Sequence, residues 1–150
     1  MINVHHYFIK RTYNKSMEKT NVLFLLTPKA QTSCLKDNMN IRQALEKMKA
    51  HGHSAIPLIT KDGEYIGTVS EGDLLNHIVE NNVYDLEDLE NVSIKNLKRR
   101  EDFSAVKVEA DISELVEEIV NNNFVPVVDD RNVLMGIVTR KTVMQTLIRG

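Results

Sequence analysis

From Val22 onward, apolar and polar positions recur as two copies of one pattern. Ile41, Ala44, Leu45 and Met48 stand at i, i+3, i+4 and i+7, the spacing of a single buried helix face, and Ile112, Leu115, Val116 and Ile119 repeat it. Asn40 with Gln43, and Asp111 with Glu114, have the cap-x-x-Gln/Glu spacing that lets a helix satisfy its first free amides reciprocally. Each helix is followed by an apolar strand containing a proline, Ala55-Ile56-Pro57-Leu58-Ile59 and Phe124-Val125-Pro126-Val127-Val128. A polar turn then reverses the chain, with Asp62-Gly63 a strong hairpin signal and Arg131-Asn132 a weaker one. The returning strands are residues 65–69 and 134–138. A second helix closes each copy, with Leu74, Leu75, Ile78 and Val79 apolar in one and Val143, Met144, Leu147 and Ile148 in the other. Ser33-Cys34-Leu35 and Ser104-Ala105-Val106 read as a short strand ahead of each first helix.

Each copy is therefore an α/β unit of order β-α-β-β-α, about 55 residues long and too small to bury both faces of its sheet alone. Two copies packed sheet to sheet with pseudo-twofold symmetry solve that problem within one chain. The expected division is a first domain over 17–80, a connection over 81–92 and a second domain over 93–150. The acidic run of residues 85–90 in the connection reads as partly helical with a solvated face. Residues 1–16 show neither period and read as a disordered arm or tag-like extension.

Composition narrows the function classes. The 19 basic and 21 acidic side chains leave a net charge of -2, without the basic surplus that nucleic acid or an anionic membrane attracts. Aromatic residues make up 5% of the chain and tryptophan is absent, which argues against a stacking platform for single strands. The longest apolar run, residues 22–26, is far too short to span a bilayer, and no secretory signal pattern is visible. The single cysteine, Cys34, excludes a disulfide within the chain and fits a reducing cytoplasm.

The strand that returns in the first copy continues as Gly67-Thr68-Val69-Ser70-Glu71-Gly72-Asp73, a Gly-apolar-x-Ser/Thr-x-x-Asp pattern; the second gives Gly136-Ile137-Val138-Thr139-Arg140-Lys141-Thr142. With the preceding apolar-Pro-apolar-apolar strands and the order of elements, this resembles a tandem pair of CBS domains, the cystathionine β-synthase motif or Bateman module, over residues 22–148. The second copy also resembles small stand-alone bacterial CBS proteins, some of which bind cyclic di-AMP.

The resemblance implies a regulatory module that binds an adenosine nucleotide, of the AMP, ADP, ATP or cyclic di-AMP class, in the cleft between the repeats. It would signal to a separate effector protein and form a homodimer through its amphipathic helices. No cofactor is required and no enzymatic activity is expected. In the first copy Asp73 would accept the ribose hydroxyls and Ser70 would donate to phosphate at the helix start. Backbone groups around Ser33-Cys34 and Ala105-Val106 would meet the adenine edge, and Ala55-Ile56 and Phe124-Val125 would supply an apolar wall. In the second copy Thr142 stands where the ribose-reading Asp is expected, leaving Thr139 and Arg140 to hold phosphate. A different reading stays open for the first site: Ser70-x-x-Asp73 also has capping spacing, so both side chains could simply hold a helix end. The corresponding alternative function is a ligand-free dimerisation scaffold.

Other candidates are weaker. His51-Gly52-His53 lacks further metal ligands, His5-His6 lies in the arm, and Cys34 reads as a small apolar strand residue. Lys95, Lys98, Arg99 and Arg100 form a basic cluster that reads as a solvated face, with a phosphate contact as its functional alternative. No glycine-rich phosphate loop, serine elbow or pair of catalytic carboxylates is present.

Overall fold

The computed structural model describes residues 21–100 and 102–149; the expected arm, residues 1–16, lies outside them. The chain divides into two compact units that do not follow the linear division at 80 and 93. One unit is Ser33–Asp102; the other joins the segment ending at Thr32 to the chain from Phe103 onward.

In the Ser33–Asp102 unit, β2 (Leu35–Lys36), β3 (Ala55–Ile59) and β4 (Tyr65–Ser70) form a sheet of order β2-β3-β4. β2 runs parallel to β3, and β3 antiparallel to β4. Helices α2 (Ile41–His51) and α3 (Glu71–Glu80) accompany the sheet. Ile41, Ala44 and Met48 are buried with Leu35, Ile56, Leu58, Val69 and Leu74, as the helical spacing predicts. Asn40 and Gln43 form the expected capping box, with bonds of 2.8 Å and 3.0 Å, and Gly52 ends α2 in the left-handed conformation at φ 65°.

The other unit has a sheet of order β1-β7-β6-β5, made by β1 (Thr27–Pro28), β5 (Val106–Lys107), β6 (Phe124–Val128) and β7 (Leu134–Thr139). Its helices are α1 (Val22–Leu25), α4 (Ile112–Asn121) and α5 (Arg140–Arg149). Val22 and Leu25 are buried among Ile112, Leu115, Ile119, Val125, Val127, Val138 and Val143. In both sheets the proline, Pro57 or Pro126, stands one residue ahead of the parallel pairing that begins at Leu58 or Val127, so no paired position of β2 or β5 faces a residue lacking an amide hydrogen.

Several expectations need correction. Asp111 makes no side-chain cap bond; its backbone carbonyl takes the amide of Glu114 at 3.0 Å, the donor its carboxylate would have served. The short strands begin later than Ser33 and Ser104, at Leu35 and Val106, because only those residues reach the ladder opposite Leu58 and Val127. The acidic run is a 3-10 helix over Leu86–Asn91 whose carboxylates are exposed while Leu89 is fully buried in the Ser33–Asp102 core beside Ile94 and Leu97. The connection is thus part of that core. The second-helix faces are only partly covered: Leu74 and Val143 are buried, but Leu75, Val79 and Ile148 are 61%, 66% and 80% exposed. Both turns form alike, since Gly63 (φ 89°) and Asn132 (φ 63°) each supply the positive φ required.

Candidate functional site

Strand pairing brings the first-copy candidates together. Ala55 lies directly across from Ser70, where β4 passes into α3. Ser70 caps α3: its Oγ accepts the Asp73 amide at 3.1 Å, and Asp73 Oδ2 accepts the Ser70 amide at 3.0 Å. Asp73 Oδ1 accepts a third amide, that of Arg100, at 3.0 Å. With the residue only 2% exposed, this carboxylate is a buried acceptor for backbone donors. The capping reading of Ser70-x-x-Asp73 is the geometry the structure contains.

The second copy repeats the arrangement with weaker groups. Phe124 pairs across from Thr139, whose Oγ1 accepts the Thr142 amide at 3.2 Å and lies 2.9 Å from the Thr142 hydroxyl. Arg140 turns to the end of α4, donating from Nε to the Ile119 carbonyl at 3.0 Å and from Nη2 to the Val120 carbonyl at 3.3 Å. These carbonyls lie in the last turn, which has no following amides to receive, so the guanidinium caps the helix and complements its dipole.

The expected apolar walls divide by strand alternation. Ile56 and Val125 point into the two cores, whereas Ala55 is half-buried and Phe124 packs on Phe103 with ring centres 4.9 Å apart. Ser33 and Cys34 immediately precede β2, and Ala105 immediately precedes β5. The Cys34 carbonyl accepts from Lys47 Nζ at 2.6 Å, while the residue itself is buried. Val106 is buried in its core.

Spacing did not reveal the segment that holds the edge of β4. Asp102 Oδ1 accepts the Thr68 amide at 3.1 Å and Arg99 Nε at 2.8 Å; Arg99 Nη2 reaches toward the Ile66 carbonyl at 3.5 Å. A Cβ on Gly67 would collide with Asp102 and Arg99. Gly136, at the same place in the other copy, sits against the Thr27 carbonyl of β1. The shared glycine therefore marks where a lead-in segment runs against the returning strand of each copy, β4 or β7; its recurrence in both copies was the available signal. Among the described residues no group of three or more His, Cys, Asp or Glu side chains is placed to hold a metal, and His51 and His53 stack with centres 6.2 Å apart. No helix among them is long and apolar enough to cross a membrane.

The fold has known counterparts. The chain is 30% identical to the uncharacterized protein MJ1426 of Methanocaldococcus jannaschii over 63% of this chain and 73% of that protein. A CBS domain protein from Streptococcus pneumoniae TIGR4 superposes with a TM-score of 0.81, at 22% identity and 95% coverage of each chain. CbpB of Listeria monocytogenes, solved in complex with c-di-AMP, gives 0.75 at 24% identity, over 85% of this chain and 94% of that one. The sequence profile of the CBS domain matches residues 29–80 and again 94–149, so the chain belongs to the CBS-domain family and carries a tandem pair of these domains.

Proposed function

We propose that this protein is a regulatory module whose CBS repeats bind an adenosine nucleotide, of the AMP, ADP, ATP or cyclic di-AMP class, and that passes the signal to a separate protein rather than catalysing a reaction. The carrying observation is the pairing of Ala55 with Ser70 and of Phe124 with Thr139, which puts an apolar residue beside a helix-opening hydroxyl in both repeats. An adenine ring needs the first and a phosphate the second. The c-di-AMP complex of the similar CbpB supports the ligand class.

The first repeat also suggests how binding becomes a signal. A ribose donating to Asp73 must share or displace the Arg100 amide, because both oxygens already accept backbone donors. Ligand occupancy would thereby release or re-seat the segment around Arg100. The exposed Leu75 and Val79, beside an apolar groove of about 320 Å³ lined by Leu45, Met48, Leu74 and Ile78, support pairing of two copies through this helical face. Sedimentation should give a dimer, and Leu75→Glu with Val79→Glu should yield a monomer.

The second reading, a ligand-free dimerisation scaffold, is favoured by the engaged Asp73 and by Thr142 at the second diol position. A thermal-shift panel of AMP, ADP, ATP, cyclic di-AMP and adenosine separates the two. A ligand at 100 times its dissociation constant adds about 2.7 kcal/mol, which raises Tm by roughly 5–10 °C for a chain of this size. A flat response to the whole panel would leave the scaffold.

A further inference from the structure

The basic cluster at the end of the Ser33–Asp102 unit does more than face solvent. Lys98, Arg99 and Arg100 line one side of a cleft of about 440 Å³ whose other side is α3, with Asn76, His77 and Glu80. All of these residues belong to one compact unit. The segment that carries the cations is held at three places. The Leu97 side chain is buried in the core, the Arg99 guanidinium is bound to the Asp102 carboxylate at 2.8 Å, and the Arg100 backbone amide is held by Asp73 at 3.0 Å. Exposure alternates accordingly, with Leu97 buried, Lys98 exposed, Arg99 half-buried and Arg100 exposed.

Among the described residues no salt bridge engages Lys98 or Arg100, whereas Arg99 is neutralised by Asp102. Among the described residues that line the cleft, Glu80 is the single carboxylate. We propose that this cleft binds a small phosphorylated molecule, with Lys98 and Arg100 as its phosphate-binding groups and the Asn76 amide and His77 ring as further hydrogen-bonding partners. Arg presents a fork suited to two phosphate oxygens, and Lys a mobile point charge. Because both side chains leave a segment so held, less freedom is lost on binding than at an ordinary surface pair. The volume falls within the range of small-molecule sites and exceeds what a bare phosphate needs. This site does not use the Asp73 carboxylate as a ligand; it shares with the adenosine reading only the Arg100 segment, whose backbone amide Asp73 holds.

The test is calorimetric titration of the full chain with inorganic pyrophosphate at low salt, alongside adenosine, which carries no phosphate. Saturable binding of one pyrophosphate per chain is expected, weakened at least tenfold in Lys98→Ala/Arg100→Ala and strengthened in Glu80→Gln. Both replaced cations are exposed and the Arg100 amide remains, so the melting curve should be preserved. Adenosine binding should be the same in the double variant as in the parent. Absence of pyrophosphate binding, or equal affinity in the double variant, would overturn the site even if adenosine ligands bind. Pyrophosphate binding without adenosine binding would sustain this site and count against the ribose contact at Asp73.

Discussion

The Asp73 carboxylate and the backbone amide of Arg100 meet at 3.0 Å, joining the first turn of α3 to a segment 27 residues further along the chain. The same carboxylate closes the cap on Ser70, so one buried side chain serves both a helix end and a chain crossing. Asp73→Ala removes both acceptors and should cost about 2–4 kcal/mol, combining a lost cap with an unsatisfied amide. For a chain of this size that lowers Tm by roughly 4–16 °C. Asp73→Asn, which keeps one acceptor, should lose less. Calorimetry below both melting points adds the functional arm: a ribose contact predicts a ten- to hundredfold loss of adenosine affinity in Asp73→Ala and little change in Thr142→Ala. Unchanged affinity would confine Asp73 to its structural role.

Arg140 is expected to act on stability before ligand binding. Arg140→Ala strips two donors from the end of α4 and should cost about 1–2 kcal/mol in chemical denaturation. Arg140→Lys should recover only part, since one ammonium does not reproduce the two-pronged contact with Ile119 and Val120. Wild-type stability with lost nucleotide affinity would instead make the guanidinium a phosphate ligand.

The glycines divide by what a methyl group would meet. Gly136→Ala drives Cβ into the Thr27 carbonyl, a backbone atom held in the β1–β7 pairing, and should cost about 1–3 kcal/mol or more. In Gly72→Ala the nearest atom is Ser70 Oγ at 3.7 Å, an ordinary contact inside a helix, so that variant should gain roughly 0.5–1 kcal/mol. Urea denaturation of the two variants should therefore move the midpoint in opposite directions.

Acid sensitivity should be visible at the second hairpin. The Val133 and Arg131 amides donate to Asp129 Oδ1, each at 2.9 Å, and hold its carboxyl below its ordinary value, with the Val133 bond the larger cause. A depressed folded-state value contributes stability above the unfolded value, near pH 4, and loses it as pH falls through the folded value. The stability gap between wild type and Asp129→Ala should be constant from pH 5 to 7 and shrink below pH 4. A gap independent of pH down to 2 would remove the charged turn.

Short-range order is what the sequence by itself determined. The i, i+3, i+4, i+7 stripe buried Ile112, Leu115, Val116 and Ile119, and the Asn40 and Ser70 boxes formed, because side-chain periodicity and capping act within one or two turns. The repetition of these patterns was enough to reach the family. Tertiary structure alone decided where the lead-in segments go and which polar groups they occupy. Leu89 in the core, Asp102 on the Thr68 amide 34 residues away, Arg140 on the Ile119 carbonyl 21 residues away and Arg100 on Asp73 obey no local period. They follow from the demand that exposed strand edges, helix ends and buried amides find partners wherever the chain passes. The same Ser70 and Asp73 spacing is compatible with a cap or with a ligand contact; the neighbouring Arg100 amide, invisible in the local pattern, places both Asp73 oxygens on backbone donors.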